Sequence, residues 1–299
     1  MSDTGLILFL GLLSSLLLSF AAFLQQRAAR VEIRYQRSPV RTAVGLMARL
    51  VRNRKWLAGW GVNLSGFMTQ ATALHFGTVA LVQPLMSTQL VFAMPMASLE
   101  RRTWPPVRDW LSVLAISAGL AVFLLVEDAA PLDGHADRPR VVFAALSALV
   151  LVACLAAIAT RLRQVPGSVV VAAAAGLCFA MTAVFMKLTA DDLVHHGIGY
   201  TARDWVGYAL AGSTFLGLVL EQTAFAGGPL PWAVATMNSV NPLASYCAGV
   251  LAFDVSVPTD PGSLAGIATV GALLVVGAVG LAHSPSARVW FPESQRSRG

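Results

Sequence analysis

The sequence predicts an all-α, polytopic membrane protein with nine transmembrane helices, and three observations carry that expectation. Only 12% of the 299 residues are charged and 56% are hydrophobic, whereas a soluble domain carries about 25% charged residues. The apolar residues gather into runs near the ~20 residues a helix needs to cross a ~30 Å hydrocarbon core. Basic residues fall mostly in alternate connections between those runs, as the positive-inside rule requires of a threaded chain.

The first run, Gly5–Leu24, has no basic residue before it and no small-x-small cleavage site after it. It is therefore expected to be a retained first helix rather than a signal peptide. The other eight spans are expected at Trp56–Phe76, Thr78–Leu99, Asp109–Val126, Val141–Thr160, Ser168–Leu188, Trp205–Phe225, Pro231–Leu251 and Gly262–Ala282.

With nine spans, the cluster from Arg27 to Lys55 shares one side with Arg101, Arg102, Arg108, Arg161 and Arg163, and with Arg288, Arg296 and Arg298 of the tail. The other side receives only Arg138, Arg140, Lys187 and Arg203, with most of the acids, including Asp133, Asp191, Asp192, Asp204 and Asp260. This segregation predicts the N-terminus outside and the C-terminus in the cytoplasm. The net charge of +6 is thus a topology signal, and no nucleic-acid partner is expected. Trp56, Trp60, Trp104, Trp110, Trp205, Trp232 and Trp290 fall near span ends, where aromatic belts sit. The basic stretch 25–55 contains "VGLMARLVRNRKW", in which Val44, Met47 and Val51 share a helical face opposite Arg41, Arg49 and Arg52. That pattern suits an interfacial helix on an anionic leaflet, or equally a plain topology-setting loop. Cys154, Cys178 and Cys247 have no metal or redox spacing and read as small apolar core residues.

Spans two and three are joined through "QATALHFGTVALVQPL", and spans seven and eight through "EQTAFAGGPLPWAVATMNSVNPL". Each stretch has a glutamine near the end of one helix, a tight glycine turn, and a second helix with polar residues and a proline. Gln70 corresponds to Gln222 or Glu221, and Gln89 falls near Asn241. Corresponding helices are five spans apart, and an odd offset inverts them across the membrane. The chain divides into a first four-helix repeat (1–126), a connecting loop and fifth helix (127–167), a second inverted repeat (168–283) and a tail (284–299). Inverted repeats of this kind mark secondary transporters, which bind substrate near the midplane between the halves.

The stretch "RNRKWLAGWGVNLSGFMTQATALHFGTVALVQPLMSTQLVFAMPMASLERR", together with "NSVNPLASY" in the second half, resembles the drug/metabolite transporter (DMT, EamA-like) superfamily over roughly residues 5–283. The Trp-x-x-Gly start and the nine-span count look most like its NIPA-type branch, whose members are often described as magnesium transporters and which also lacks a tenth helix. The resemblance implies an all-helical inverted-repeat transporter working by alternating access. A site for a hard divalent cation presents several carboxylates or carbonyls, and the apolar spans here hold one firm carboxylate, Glu221, among amides.

The polar residues inside the spans are the candidate site. Asn63, Gly66, Gln70 and Ala73 share a face of span two. Gln83 and Ser87 lie one turn apart in span three, around Pro84, with Gln89 following. Ser213, Gly217 and Glu221 line span seven, with Gln222 beside them. Asn238, Asn241 and Ser245 share a face of span eight, where Pro242 frees a carbonyl. Lipid cannot satisfy such faces, so they must point into the bundle or a wet cavity. A single amide serves as well as helix–helix glue. Glu221 differs in kind. It lies ~7 Å inside the hydrocarbon boundary at 1.5 Å per residue, where an acid costs ~2–3 kcal/mol on insertion scales. It is the candidate proton- or cation-coupling group.

His75, His195 and His196 show no ligand spacing. Lys187, with Asp191 and Asp192, reads as a snorkelling group at the outer end of span six. No nucleotide loop, nucleophile–base pair or zinc motif occurs, so neither an enzyme nor a cofactor is expected. The expected function is secondary transport of a small solute, coupled through Glu221, in a bacterial-type plasma (inner) membrane. The alternatives are a NIPA-like divalent-cation transporter and a non-transport assembly or lipid-handling partner. Expected partners are a small-molecule or ion substrate, anionic lipid along 25–55, and a second copy of the chain as a homodimer.

Overall fold

The computed structural model describes residues 3–33, 40–76, 82, 85–101, 104–126, 137–162, 164–253 and 261–282. Among these residues the regular structure is helical throughout. The helices are α1 (Asp3–Ile33), α2 (Val40–Leu50), α3 (Arg54–Phe76), α4 (Gln89–Arg101), α5 (Val107–Val126), α6 (Arg138–Arg161), α7 (Gln164–His196), α8 (Ile198–Thr201), α9 (Trp205–Gly227), α10 (Leu230–Ala252) and α11 (Pro261–Ala282).

Four stretches among the described residues, Gly5–Val31, Arg138–Arg161, Pro166–His196 and Trp205–Gly227, are long and apolar enough to cross a membrane. Their outer surfaces are apolar too. On α6, Phe143, Leu146, Leu149, Val150 and Leu151 are all exposed, an arrangement that water penalises and lipid does not. These are the features of an integral membrane protein.

The helices approach through small residues, as bundles in lipid do, where close van der Waals packing replaces the hydrophobic drive. On α3, Gly59 lies against Gln25 and the Ala21 carbonyl, and Gly66 against Leu17 and Leu18 of α1. Ala73 continues that line and is fully buried. On α9, a Cβ at Gly217 would lie 2.9 Å from Phe179 of α7. Gly119 of α5 and Gly277 of α11 bring those two helices together. The main core joins α1, α4, α5, α7, α9 and α10 through Phe23, Leu90, Ala93, Val113, Ala172, Ala175, Phe225, Leu230 and Val234.

Span one was expected to end at Leu24, yet α1 runs to Ile33. The stretch 25–55 is mostly helical, made of the end of α1, then α2, then the start of α3. Helix α2 is amphipathic as expected, but its buried residues are Leu46 and Leu50, which pack with Ala28, Ala29 and Trp56, with Met47 and Trp60 alongside. Val51, assigned to the apolar face, is 48% exposed. The face is set by what α2 lies on, namely the end of the bundle, and this rotates it away from the periodicity-based choice.

The ends of the bundle differ in charge. At one end lie Arg27, Arg30, Arg49 and Arg52 (the basic end). At the other (the acidic end) Arg138 at the start of α6 donates to both Asp192 oxygens, at 2.7 and 2.9 Å, and to Asp204 at 3.0 Å. Nη2 serves both Asp192 oxygens and Nη1 serves Asp204, which ties α6 to the end of α7 and to the start of α9, where Asp204 also caps the helix by accepting from the Trp205 N–H. Lys187, expected to snorkel, places its ammonium 5.0 Å from the ring centre of Phe253, at the end of α10.

Candidate functional site

The candidate site begins at a broken helix. Ser87 and Thr88 form a turn just before α4. The Thr88 N–H donates to the Leu85 carbonyl, and the Leu90 N–H to the Ser87 carbonyl. These three-residue spacings interrupt the regular helical ladder, an irregularity tolerated at membrane depth only inside protein. Serines from the neighbouring helices add donors to carbonyls at the break. Ser15 donates to the Leu85 carbonyl (2.7 Å), Ser19 to that of Gln89 (2.5 Å) and Ser117 of α5 to that of Ser87 (3.1 Å). Ser14, Ser15 and Ser19 are completely buried. The break is thereby pinned to α1 and α5, and it aims Gln89 toward α10.

A second irregularity faces it. Pro242 sits inside α10 and lacks the N–H that would bond the Asn238 carbonyl one turn earlier. The Asn238 side chain donates to Gln89 Oε1 at 3.2 Å, bridging α10 and α4. Around this bridge lies a cavity of about 220 Å³. Asn63, Gln89, Glu221, Asn238 and Asn241 line it, with Gln25, Trp60, Phe179 and Phe225. Residues from α1, α3, α4, α7, α9 and α10 thus converge on one space. Glu221 is six residues from the end of α9, ~9 Å at 1.5 Å per residue, so the cavity lies toward the basic end.

Of the residues singled out in the sequence, the structure brings together Asn63, Gln89, Glu221, Asn238 and Asn241. The other candidates sit elsewhere. Gln222 is 1% exposed and committed to interhelical bonds. Its Nε2 donates to Gln25 Oε1 and its Oε1 accepts from the Trp56 indole, each at 3.0 Å. Ser87 supplies its carbonyl to Ser117. Ser245 is buried one turn beyond Asn241, with its hydroxyl 3.5 Å from Asn241 Oδ1. Gln70 is on α3 two turns beyond Asn63, outside the cavity wall. Gln83 lies outside the described residues. Ser213 and Gly217 share the face of Glu221 but pack on α7, with Ser213 3.0 Å from Thr182.

Among the wall residues not singled out, Gln25 and Trp60 carry polar groups. Gln25 lies one residue past the expected end of span one, and Trp60 was read as a belt residue. The Trp60 indole N–H is buried with no hydrogen-bond partner, a cost of about 1–3 kcal/mol. A polar residue continuing the period of an apolar helix, as Gln25 does, was the available signal.

Between the cavity and the basic end lies a seal. Gln26 Nε2 and the Arg30 guanidinium both donate to the Gly228 carbonyl at 2.8 Å. The Gln222 bonds to Gln25 and Trp56 lie just inside, and α2 covers them through Leu46 and Leu50. Among the basic residues of 25–55, Arg27 stacks on Phe23, whereas Arg52, Arg54 and Lys55 are exposed. No group of three or more His, Cys, Asp or Glu positioned to hold a metal occurs among the described residues.

Among the described residues, fold and cavity together define a class, a helical bundle with four helices long and apolar enough to cross a membrane and a cavity bearing a carboxylate. The chain is 26% identical over 203 residues to an uncharacterized protein of Corynebacterium glutamicum, covering 66% of this chain and 68% of that one. No protein-family model matches the chain, and no solved structure matches it.

Proposed function

We propose that this protein is a secondary transporter that moves a small solute by alternating access, using the cavity at Glu221. The observation that carries the proposal is the convergence of Glu221 with Asn63, Asn241 and the Asn238–Gln89 pair on one space lined by six helices. A carboxylate is expensive in a membrane helix and is kept there for ion or substrate pathways. Helix breaks facing such a space are the pattern of transporter sites.

The nine-span, 4+1+4 inverted repeat belongs to the proposal, and the packing supports it. Helix α1 packs most extensively on α3, and α7 on α9, which are the corresponding first and second spans of the two repeats. Helices α5 and α11, the corresponding last spans, pack on each other, as a pseudo-two-fold between halves would require. In this reading the chain belongs with DMT-type carriers of the inner membrane. The basic end is then cytoplasmic, and Arg52, Arg54 and Lys55 face anionic headgroups. The seal at Gly228 is the gate on that side.

A dedicated magnesium site fits less well, because Glu221 is the one carboxylate among the described residues of the cavity wall and such a site draws on several hard oxygen ligands. A dry structural assembly would explain the Asn238–Gln89 pair but not the open volume beside Glu221.

The test is flux into proteoliposomes across an imposed pH gradient, for a panel of solutes, with wild type and Glu221→Gln. The variant is expected to fold and to lose gradient-driven transport. Gradient-driven flux equal to wild type in the variant would remove Glu221 from the coupling role.

A further inference from the structure

We propose that the cavity at Glu221 selects a small organic cation, an amine carried on an apolar or aromatic body. As a statement about a transported substrate this rests on the transport reading; as a statement about binding it stands on the cavity alone.

The chemistry of the wall decides the class. Among the described residues its single formal charge is negative and no Lys, Arg or His lines it, so an anion would meet uncompensated repulsion in a low-dielectric space. The amides offer less than their number suggests. Gln89 and Asn238 are bonded to each other, Gln25 is engaged by Gln222, and Asn241 has the Ser245 hydroxyl beside it. What the wall has in quantity is aromatic and aliphatic surface, including Trp60, Phe179 and Phe225.

A cation over an aromatic face is attracted by the ring quadrupole, most strongly on tryptophan and in a desolvated site. A carboxylate on the same wall neutralises the charge, and the apolar remainder accommodates the carbon body. The volume of about 220 Å³ is the space of about seven waters at ~30 Å³ each. It lies below the ~300–1,000 Å³ typical of drug-sized sites, which limits the ligand to a small amine.

Benzylammonium, benzyl alcohol and benzoate share one ring and differ in charge, and magnesium serves as the inorganic comparison. Binding to the purified full chain is read by titration calorimetry, with flux in proteoliposomes as a separate arm. Benzylammonium is expected to bind about tenfold or more tighter than benzyl alcohol, with benzoate weaker still. Glu221→Gln and Trp60→Leu should each reduce that preference, and having two variants guards against misfolding of either. Equal binding of the alcohol and the amine would overturn the proposal. So would preferential binding of benzoate or magnesium, or an undiminished amine preference in both variants when folded. Amine binding without flux would sink the transport reading and leave the cation site standing. Glu221-dependent flux of another solute without amine binding would do the reverse.

Discussion

Gln222 Nε2 donates to Gln25 Oε1 across 3.0 Å, fixing α9 to α1 one residue away from the cavity carboxylate. Adjacent residues on a helix differ by ~100° in direction, so Glu221 and Gln222 do different work. Gln222→Leu removes this bond and the one from Trp56 and leaves two buried partners unpaired. It is expected to destabilise the protein by about 1–3 kcal/mol, whereas Glu221→Gln should stay near wild type. Thermal unfolding in detergent compares the two, and equal losses would contradict the assignment.

The broken helix before α4 is held by serines. Ser15→Ala and Ser19→Ala each remove an interhelical hydrogen bond onto a carbonyl at the break, at about 1 kcal/mol apiece. The double variant should show a lowered melting temperature and, because the break aims Gln89, weakened solute binding. A double variant with wild-type stability would mean that the carbonyls find other donors.

The sequence made the cavity legible where polarity alone decides. Asn63, Gln89, Glu221, Asn238 and Asn241 stand out because amides and an acid in apolar helices must turn inward. It could not separate Glu221 from Gln222, because the rotation of α9 is set by the contact of Gly217 with Phe179. It grouped Gln70 with Asn63 by face, but two helical turns carry Gln70 past the cavity. The serines of α1 carry no signal in the sequence, since their acceptors are backbone carbonyls of another segment. The face of α2 is decided by Ala28, Ala29 and Trp56 beneath it, which its own periodicity does not encode.

Close helix contact at Gly277 gives a third prediction. A Cβ there would lie 2.4 Å from Ile116 and 2.7 Å from the Ser112 carbonyl oxygen, and backbone does not yield easily. Gly277→Ala should push α11 from α5 and cost about 1–3 kcal/mol. Gly271, on the same helix, has nothing within 4 Å of such a carbon. Gly271→Ala should be neutral or slightly stabilising, by up to ~1 kcal/mol from helix propensity. Unfolding curves for the pair test the packing directly.

Arg138 gives a fourth. Its removal leaves Asp192, whose side chain is 8% exposed, without the guanidinium and with His196 Nδ1 at 3.6 Å. Because the guanidinium itself is 37% exposed, the loss for Arg138→Gln should fall short of a fully buried pair, at about 1–2 kcal/mol. Asp192→Asn in the same background should recover part of it by removing the orphaned charge. No recovery in the double variant would contradict this account of the acidic end.

The central claim is that the space at Glu221 is a wet cavity reached in turn from both sides of the membrane. Single cysteines at Asn63 and Asn241, placed in a chain whose Cys154, Cys178 and Cys247 are replaced by alanine, report on it through a membrane-impermeant thiol reagent. Val51→Cys, at an exposed position of the basic end, serves as the control. The account predicts labelling of both cavity cysteines from either side, with the favoured side shifting when a solute gradient is imposed. Cavity cysteines that stay unreactive from both sides under every gradient, while the control reacts, would contradict it.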